Sequence, residues 1–408
     1  MFVMTVLRSR VAALRQTLAQ NTLPGMEIDL GALSTCLRTR FPQHFALGAP
    51  PPQVQQLGQD FTYELRFDHD GDVACDRLVL RLHERAGHEY RLLSGLHALA
   101  RRPDSDASRL PVVPTPLMLM EDRAVMGKPF LVSELVTGRK FFDAAFTDAV
   151  DSVHVGGAQN PRMGSLSKKA VQAEAADRTA LQYALVDAAA ALHSVDVEAV
   201  SSVMPESASA HQTDGSLQGL TRMATRVYEA SNRTALQAAP RLTSAMEHLA
   251  EWLPRAQPAG EASELTRLTH GDLHVEHVVF HPDEPRVAAI TGGWTYWSLG
   301  HPGADLAMLA LPYVTPGTLQ TKHQGFGTPS TRAAMGLPGL DAFLERYVAR
   351  SGLASVRAHF DYYLAHACFR VAAATAARPE PTEDELRFAS QMAGAGLGCA
   401  QRCEQQGA

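Results

Sequence analysis

The sequence is poor in cysteine and contains no long apolar run. Its 408 residues include five cysteines, an odd and widely spaced set, so we expect a reducing compartment and no disulfide framework. No segment approaches the ~20 consecutive apolar residues that cross a bilayer, so we expect no membrane span. A net charge of −6 with scattered basic residues argues against a nucleic-acid partner. These absences are typical of a globular protein and leave its function open.

The first 26 residues lack acidic side chains. Arginines and hydroxyl residues accompany one apolar helical face, formed by Leu7, Val11, Leu14 and Leu18. This composition is typical of a mitochondrial presequence, and an ordinary amphipathic first helix is the alternative. We therefore treat residues 1–26 as an N-terminal extension and expect a cytoplasmic protein, with a mitochondrial one as the alternative.

Alternating apolar residues predict a small antiparallel sheet early in the chain. The runs 61–67 and 77–82 flank a DHDGD turn signal, and PFLVSEL at 129–135 predicts a later strand. ERAGHEYRLLSGLHALARR lies between them and has the spacing of one helix, while a shorter helix within 27–45 is stopped by Pro42. The pattern predicts an N-terminal lobe over residues 27–137.

After Gly138 the pattern becomes mainly helical. The predicted helices fall within 174–198, 219–254, 340–352 and 360–377. Stretches rich in Gly, Ser and Pro predict surface loops at 148–172, 201–217 and 316–339. The pattern predicts the α+β fold class, with a small antiparallel-sheet N-lobe carrying one helix and a larger, mainly helical C-lobe over residues 138–400. This is the outline of a protein kinase-like two-lobe fold.

The segment HGDLHVEHVVFHPDEPRVAAITGGW (270–294) carries four histidines, His270, His274, His277 and His281. On a helix three of them would share a face and suit zinc. Val278 to Phe280, the HPDEP turn and RVAAI predict strand, turn and strand instead, and alternation along a strand points the rings in different directions. The pattern therefore argues against a dedicated zinc site, and a histidine-dependent metal protein ranks third among the hypotheses.

The same segment carries HGD, a hairpin, Trp294 and GHPGADLA (300–307) in one order and spacing. It resembles the catalytic segment (270–307) of the aminoglycoside phosphotransferase and choline kinase-like family, closest to the branch fused to acyl-CoA dehydrogenase domains in some eukaryotic proteins. Further matches, such as VLRL, HEYRLL and GKPFLVSELVTGR, extend the resemblance over roughly residues 25–375. It implies ATP and Mg²⁺ as cofactors and phosphoryl transfer to a small-molecule hydroxyl.

The resemblance assigns roles residue by residue. Asp272 is the catalytic aspartate that orients or deprotonates the acceptor hydroxyl, and His270 braces its loop. Asp305 ties the following helix to the same loop. The nucleotide-binding residues that the resemblance implies are the phosphate-covering turn at Gly58 and Gln59, the strand and helix pair Arg81 and Glu89, and the hinge at Glu134 and Val136.

The metal ligands depart from the family. His277 stands at the position of the metal-binding asparagine, and Gly293 at that of the metal-binding aspartate. Glycine has no side-chain oxygen, and imidazole is a poor ligand for Mg²⁺. The turn at Gly58 is also one residue short, and Asp60 there has the wrong charge for phosphates.

We therefore predict a catalytically impaired phosphotransferase, a pseudokinase that binds a nucleotide, a small molecule or a protein partner. The alternative is an active phosphotransferase with non-standard metal ligation that acts on a hydroxyl of a hydroxy acid or acyl-CoA type of molecule.

Overall fold

A computed structural model describes most of the chain. The described residues are 22–23, 26–27, 30–40, 52–56, 62–66, 77–102, 110–141, 143–146, 150–151, 168–203, 214–231, 233–260, 265–316 and 325–407. The predicted N-terminal helix at 7–18, the turn at Gly58, Gln59 and Asp60, and the DHDGD turn lie outside them. Among the helices that are described, none has the length and apolar character needed to cross a membrane.

The described residues group into two compact units. The first takes residues up to Ser94 and Pro114–Leu135, and the second takes Gly95–Val113 and Val136 onward. The strands of the first unit are β1 (Thr22–Leu23), β2 (Met26–Glu27), β3 (Gln53–Gln56), β4 (Thr62–Arg66), β5 (Arg77–Leu82), β6 (Pro116–Met120) and β7 (Phe130–Glu134). Five of them form one antiparallel sheet in the order β3-β4-β5-β7-β6.

The predicted pairing of the strands at 61–67 and 77–82 and the two helices predicted within 27–45 and 84–102 are confirmed. Strand β4 pairs with β5, with Thr62 opposite Arg81 and Arg66 opposite Arg77. The helices of this region are α1 (Leu30–Arg40), α2 (Ala86–Ala100) and α3 (Arg123–Met126). One face of the sheet buries its apolar side chains against α1, and each fully buried leucine contributes about 1.5–3 kcal/mol. This core contains Leu33, Leu37, Tyr63, Leu65, Leu78, Leu80, Leu82, Met118, Met126, Phe130 and Val132.

The second unit is mainly helical, as predicted. Its helices are α4 (Lys168–His193), α5 (Val197–Val203), α6 (Leu217–Glu229), α7 (Arg233–Gln237), α8 (Pro240–Arg255), α9 (Pro302–Ala310), α10 (Pro329–Ala334), α11 (Leu340–Ser351), α12 (Ala354–Ala358), α13 (Phe360–Ala376) and α14 (Glu383–Gly407). Helix α14 has no counterpart among the predicted elements, and it packs against α13 and α8.

All three predicted loops contain helical residues, and α5 extends to Val203, inside the predicted loop 201–217. Helix α4 begins at Lys168, inside the predicted loop 148–172, and α10 lies inside the predicted loop 316–339. The prediction of a loop at 316–339 failed because Pro329 was taken as a loop signal. Proline suits the first helical position, and the Thr328 hydroxyl caps the helix by accepting a hydrogen bond from the Thr331 amide.

Short strands frame the HGD segment in the second unit. They are β8 (Arg139–Lys140), β9 (Val150–Asp151), β10 (Arg267–Thr269), β11 (Val278–Phe280), β12 (Val287–Ile290) and β13 (Ser298–Gly300). The predicted hairpin is confirmed as β11 and β12, and β10 pairs with β13. Two single 3₁₀ turns, Val275–His277 and Trp294–Tyr296, precede and follow this hairpin. The loop that carries HGD therefore runs from the end of β10 to the start of β11.

Helix α13 carries a buried histidine without a described partner. His366 is fully buried, and neither of its ring nitrogens has a hydrogen-bond partner among the described residues. Burial, reinforced by the charges of Arg370 and His301, lowers the pKa of His366 to about 3. An unsatisfied buried polar group costs about 1–3 kcal/mol, so His366 destabilises the helix packing.

We expect His366→Leu to raise the free energy of unfolding by about 1–2 kcal/mol at pH 7. The gain should grow on acidification. Below pH 6.5 His366 becomes protonated in the unfolded wild-type chain, whereas in the folded protein it stays neutral down to about pH 3, so protonation of this residue lowers the stability of the wild type in acid but not that of the variant. Urea unfolding of both proteins at pH 7 and pH 5 measures this. His248→Leu, at an exposed position on α8, is the control and should change stability little at either pH. An equal stability for wild type and His366→Leu at pH 5 would contradict the prediction.

Candidate functional site

The HGD loop is anchored by hydrogen bonds to Asp305, which lies in the first turn of α9. Its carboxylate accepts hydrogen bonds from the backbone amides of His270 (2.7 Å) and Gly271 (2.9 Å), and it lies 3.2 Å from Nε2 of His193. Nδ1 of His193 in turn lies 2.8 Å from the Tyr347 hydroxyl. Burial pushes the pKa of Asp305 up, but the hydrogen bond and charge of His193 and the interactions of His270 outweigh it and hold the pKa below 3.8. The predicted tie between helix and loop is confirmed.

Helix α9 begins where it does because of local capping. Nδ1 of His301 accepts a hydrogen bond from the Gly303 amide, and Pro302 occupies the first helical position. All nine residues of the helix are buried. Asp305 is therefore fixed in a rigid element, which sets the position of the loop amides.

His270 uses both of its ring nitrogens inside the loop. Nε2 donates to the Gly292 carbonyl at 2.7 Å, and Nδ1 accepts from the Asp272 amide at 3.2 Å. The ring is fully buried against Trp294, with 4.4 Å between the ring centroids, and burial lowers its pKa. These contacts hold the loop against the Trp294 turn, so His270 acts on Asp272 through the backbone.

Asp272 is the partly open group of the loop. About a quarter of its side chain is exposed, and Oδ2 lies 3.6 Å from Nε2 of His274. Arg370 of α13 donates to the Gly271 carbonyl at 2.8 Å, and its charge acts on Asp272. Burial lowers the pKa of Arg370. Sequence reasoning missed Arg370, because a single arginine on an apolar helix resembles many surface arginines.

The ring of His277 lies at the centre of the histidine group. Its Nδ1 lies 2.8 Å from the Asp272 carbonyl, to which it must donate, and its centroid is 3.9 Å from that of His274 and 5.3 Å from that of His270. Burial first, and then the charge of His274, lower the pKa of His277 well below 6.5, so the ring is neutral at pH 7.

The expectation that the four rings point in different directions is wrong for three of them. The 3₁₀ turn Val275–His277 separates His274 and His277 by three residues, and side chains at that spacing eclipse one another in a 3₁₀ turn. His281 alone stands apart from this group in its contacts: its Nδ1 accepts from the amides of Asp283 and Glu284 in the hairpin turn.

Gly293 cannot carry a side chain while His277 keeps its position. Its backbone is left-handed, with φ of +76°. A β-carbon there would lie well inside contact distance of Cε1 and Nδ1 of His277 and 2.7 Å from Cε1 of His270. The imidazole of His277 therefore fills the space that a carboxylate at 293 would need.

The residues present do not fit Mg²⁺. The ion prefers octahedral oxygen ligands, whereas position 293 offers no side-chain oxygen and position 277 offers a buried imidazole. No step of a reaction can be assigned to Mg²⁺ held by these two residues.

The predicted nucleotide-binding pair is formed in the first unit. Nη1 of Arg81 donates to Oε1 of Glu89 at 3.0 Å, and both side chains are buried. His83 adds a contact of 2.9 Å to Oε2 of Glu89, which the sequence had not indicated. A buried Arg–Glu pair serves structure as well as phosphate binding, so its role toward a nucleotide stays a prediction.

The predicted hinge residues are placed in two different units. Glu134 ends β7, where its amide donates to the Thr115 carbonyl and its carboxylate accepts from the Thr115 amide. Its amide is thus already used within the sheet. Val136 lies in the second unit. Binding of an adenine by Glu134 and Val136 stays a prediction.

Comparison with protein families and curated proteins points to one family. Residues 163–359 match the family described as phosphotransferase enzyme family. The chain is 28% identical over 260 residues to human (Homo sapiens) acyl-CoA dehydrogenase family member 11, covering 64% of this chain and 28% of that protein. It is 27% identical over 288 residues to probable acyl-CoA dehydrogenase IBR3 of Arabidopsis thaliana, covering 69% and 31%. The chain thus spans less than a third of the length of these two relatives.

Solved structures share the fold. A putative aminoglycoside phosphotransferase from Ralstonia eutropha superposes with a TM-score of 0.64 at 24% identity, covering 92% of this chain and 98% of that one. Choline kinase from Cryptosporidium parvum superposes with a TM-score of 0.57 at 11% identity, covering 93% and 97%. The predicted resemblance and the kinase-like α+β fold are confirmed.

Proposed function

Since this chain has the family match and the kinase-like fold of the aminoglycoside phosphotransferase and choline kinase-like proteins, we propose that it binds a small-molecule or nucleotide ligand but is impaired in magnesium-dependent phosphoryl transfer. A protein partner is the alternative ligand for such a pseudokinase. The proposal concerns the site around Asp272 and is carried by one observation, the occupation of the Gly293 space by His277.

The missing carboxylate should have a large effect on rate. Phosphoryl transfer relies on positioning and on electrostatic stabilisation of the phosphates, much of it supplied by bound metal. Loss of such stabilisation raises the barrier by several kcal/mol, equivalent to roughly 10³-fold or more in rate. The two departures at 277 and 293 are also coupled in space, because the larger side chain at one position excludes a side chain at the other.

Other parts of the machinery support a retained binding function. Asp272 is partly exposed on a loop fixed by Asp305, and the Arg81–Glu89 pair is formed. The resemblance implies the ligand class, a hydroxy acid or its acyl-CoA ester, and the names of the curated relatives contain acyl-CoA. We place the hydroxyl of such a molecule at Asp272.

ATP turnover in Mg²⁺ tests the proposal. We expect the wild-type chain to hydrolyse ATP at background rate, and His277→Asn with Gly293→Asp to raise the rate at least about 10-fold, because the pair supplies two oxygen ligands. Asp272→Asn added to that pair should return the rate to background.

Three outcomes would change the proposal. Wild-type turnover in Mg²⁺ at the ~1–100 s⁻¹ of ordinary kinases, abolished by Asp272→Asn, would overturn it. Turnover that needs Mn²⁺ or Zn²⁺ in place of Mg²⁺ would favour the second candidate, an active phosphotransferase with non-standard metal ligation. The closeness of the donor atoms of Asp272, His274 and His277 supports this candidate. A folded double variant that stays inactive would indicate the altered turn at Gly58 as the main defect.

A further inference from the structure

We propose that Asp272, His274 and His277 form a binding site for a divalent transition-metal ion of the zinc class. The site lies on the loop from which the magnesium ligands have been lost. The inference does not depend on whether ATP turnover is lost, since it rests on the donor atoms alone.

The donor atoms of the three side chains lie close together. One ring nitrogen of each histidine and one carboxylate oxygen of Asp272 all lie within 4.8 Å of one another. Two ligands of one tetrahedral zinc ion, each bonded at ~2.0–2.2 Å, stand about 3.3 Å apart. The 3.6 Å between Nε2 of His274 and Oδ2 of Asp272 is close to that separation. Any donor pair that lies farther apart, up to 4.8 Å, would have to approach when an ion binds.

The local backbone builds this cluster. His274 immediately precedes the 3₁₀ turn, and His277 ends it, so their rings share one side of the loop at a centroid distance of 3.9 Å. Asp272 sits on the same loop, which the carboxylate of Asp305 fixes through the amides of His270 and Gly271. The donors thus stand on a rigid frame, as a metal site requires.

The contacts of His277 also resemble the outer shell of a metal site. Metal-binding histidines commonly donate the hydrogen of their second ring nitrogen to a carbonyl or carboxylate, which fixes the tautomer. Nδ1 of His277 donates to the Asp272 carbonyl in this way, and this leaves the lone pair on Nε2. His270 is not a ligand, because its two nitrogens are already bonded to Gly292 and to the Asp272 amide.

The donor set selects the class of ion. Two imidazoles and one carboxylate suit Zn²⁺ and its neighbours Co²⁺ and Ni²⁺, whereas Mg²⁺ and Ca²⁺ prefer oxygen ligands. Both histidines are buried and Asp272 is about a quarter exposed, so solvent reaches the cluster at Asp272 and could supply a fourth ligand. Three protein ligands with one open position is the arrangement of zinc sites that bind water or a substrate group.

A bound ion would change the role of Asp272. Its carboxylate would then be a metal ligand and could not also accept a proton from an acceptor hydroxyl. The competing explanation is a purely structural cluster, in which two buried rings stack beside a carboxylate. The two explanations differ in whether zinc binds.

Metal titration of the full chain, freed of metal by a chelator, tests the site. We expect one Zn²⁺ per chain with a dissociation constant below about 10 µM, measured by competition with a chromophoric chelator. Co²⁺ should give the intense visible absorption of a four- or five-coordinate ion. Mg²⁺ at about 5 mM should not displace either ion.

Matched variants identify the ligands. His277→Gln and His274→Gln should each weaken Zn²⁺ binding at least about 100-fold and remove the Co²⁺ spectrum, because each deletes one of three ligands. His248→Gln, at an exposed position on α8, should bind as the wild type does. Asp272→Asn provides a second test that is safe for folding, since this side chain is partly exposed, and it should weaken binding at least about 10-fold.

Zinc binding weaker than about 0.1 mM, or binding that the Asp272→Asn and His274→Gln variants leave unchanged, would overturn the inference. ATP turnover in Mg²⁺ is measured on the same preparations. Absence of zinc binding together with background turnover would rule out the metal site and leave the proposed function standing. Zinc binding together with ordinary turnover in Mg²⁺ would support the metal site and overturn the proposed function.

Discussion

Gly293→Asp, which introduces the carboxylate that the sequence resemblance implies for this position, is expected to lower the free energy of unfolding by on the order of 3 kcal/mol. Two effects add. The backbone at 293 has φ of +76°, where any residue other than glycine is strained. The new β-carbon would also overlap the buried ring of His277, which cannot move without breaking its bond to the Asp272 carbonyl.

The double change His277→Asn with Gly293→Asp should recover most of that loss, to within about 1–1.5 kcal/mol of the wild type. Asparagine is smaller than histidine, so it vacates the space at 293, and its amide can still donate to the Asp272 carbonyl. The backbone strain at 293 then remains, together with the 2.7 Å approach of the new β-carbon to Cε1 of His270, which a shift of that ring must relieve. Urea unfolding followed by tryptophan fluorescence measures all three proteins, since the three tryptophans are buried.

Gly352→Asp is the matched control for strain. Gly352 ends α11 with φ of +73°, and a β-carbon there would meet nothing within 4 Å. This variant should lose only about 1 kcal/mol, the strain contribution. Equal losses at Gly293 and Gly352, or a double variant no more stable than Gly293→Asp, would show that His277 yields easily and that the two positions are not coupled.

The outline of this fold could be predicted because its signals are local. The hairpin of β4 and β5 follows from alternating apolar residues, and the HGD and GHPGADLA motifs point to one family at a fixed spacing. Helix α14 escaped prediction because nothing in the motifs or in the resemblance, which ends near residue 375, extends that far. It packs on the preceding helix α13 and also on α8, which lies far earlier in the chain.

The departures at 277 and 293 could be seen in the sequence, but their coupling could not. In the sequence motif, His277 and Gly293 are two separate departures from the expected metal ligands. In the structure the ring of His277 fills the space that a side chain at 293 would need. The cluster of His274, His277 and Asp272 was missed for a related reason. The strand pattern of residues 278–280 was extended back to His274, although Val275–His277 form a single 3₁₀ turn. Side chains three residues apart point in opposite directions along a strand, but they lie on the same side of a 3₁₀ turn.

Asp305→Asn should lower the free energy of unfolding by on the order of 3–4 kcal/mol. The carboxylate receives two backbone amides and lies beside His193, with no water-exposed surface to compensate a lost bond. An asparagine side chain offers one acceptor oxygen and one NH₂ group. In either orientation a donor therefore faces a donor, and the amide of His270 or Gly271 loses its partner.

Asp341→Asn is the control for the helix position itself. Like Asp305 it lies in the first turn of its helix, α11, but its side chain is 91% exposed. Loss of the favourable interaction with the helix N-terminus is common to both variants and amounts to about 0.3–1 kcal/mol. The excess loss at Asp305 therefore measures the buried hydrogen bonds. A similar small loss at both positions would mean that Arg370, through the Gly271 carbonyl, holds the loop without Asp305.

The effect of Asp305→Asn should also depend on pH in one direction. The pKa of Asp305 is lower in the folded protein than its ordinary value of 3.8, because the interactions with His193 and His270 outweigh burial. Its stabilisation is therefore fully present above that value and is lost as the pH falls through the folded pKa. The difference in unfolding free energy between wild type and Asp305→Asn should stay constant from about pH 7 to pH 5 and shrink below about pH 4. A difference that grows on acidification would mean that Asp305 is protonated in the folded protein and donates, rather than accepts, in the loop.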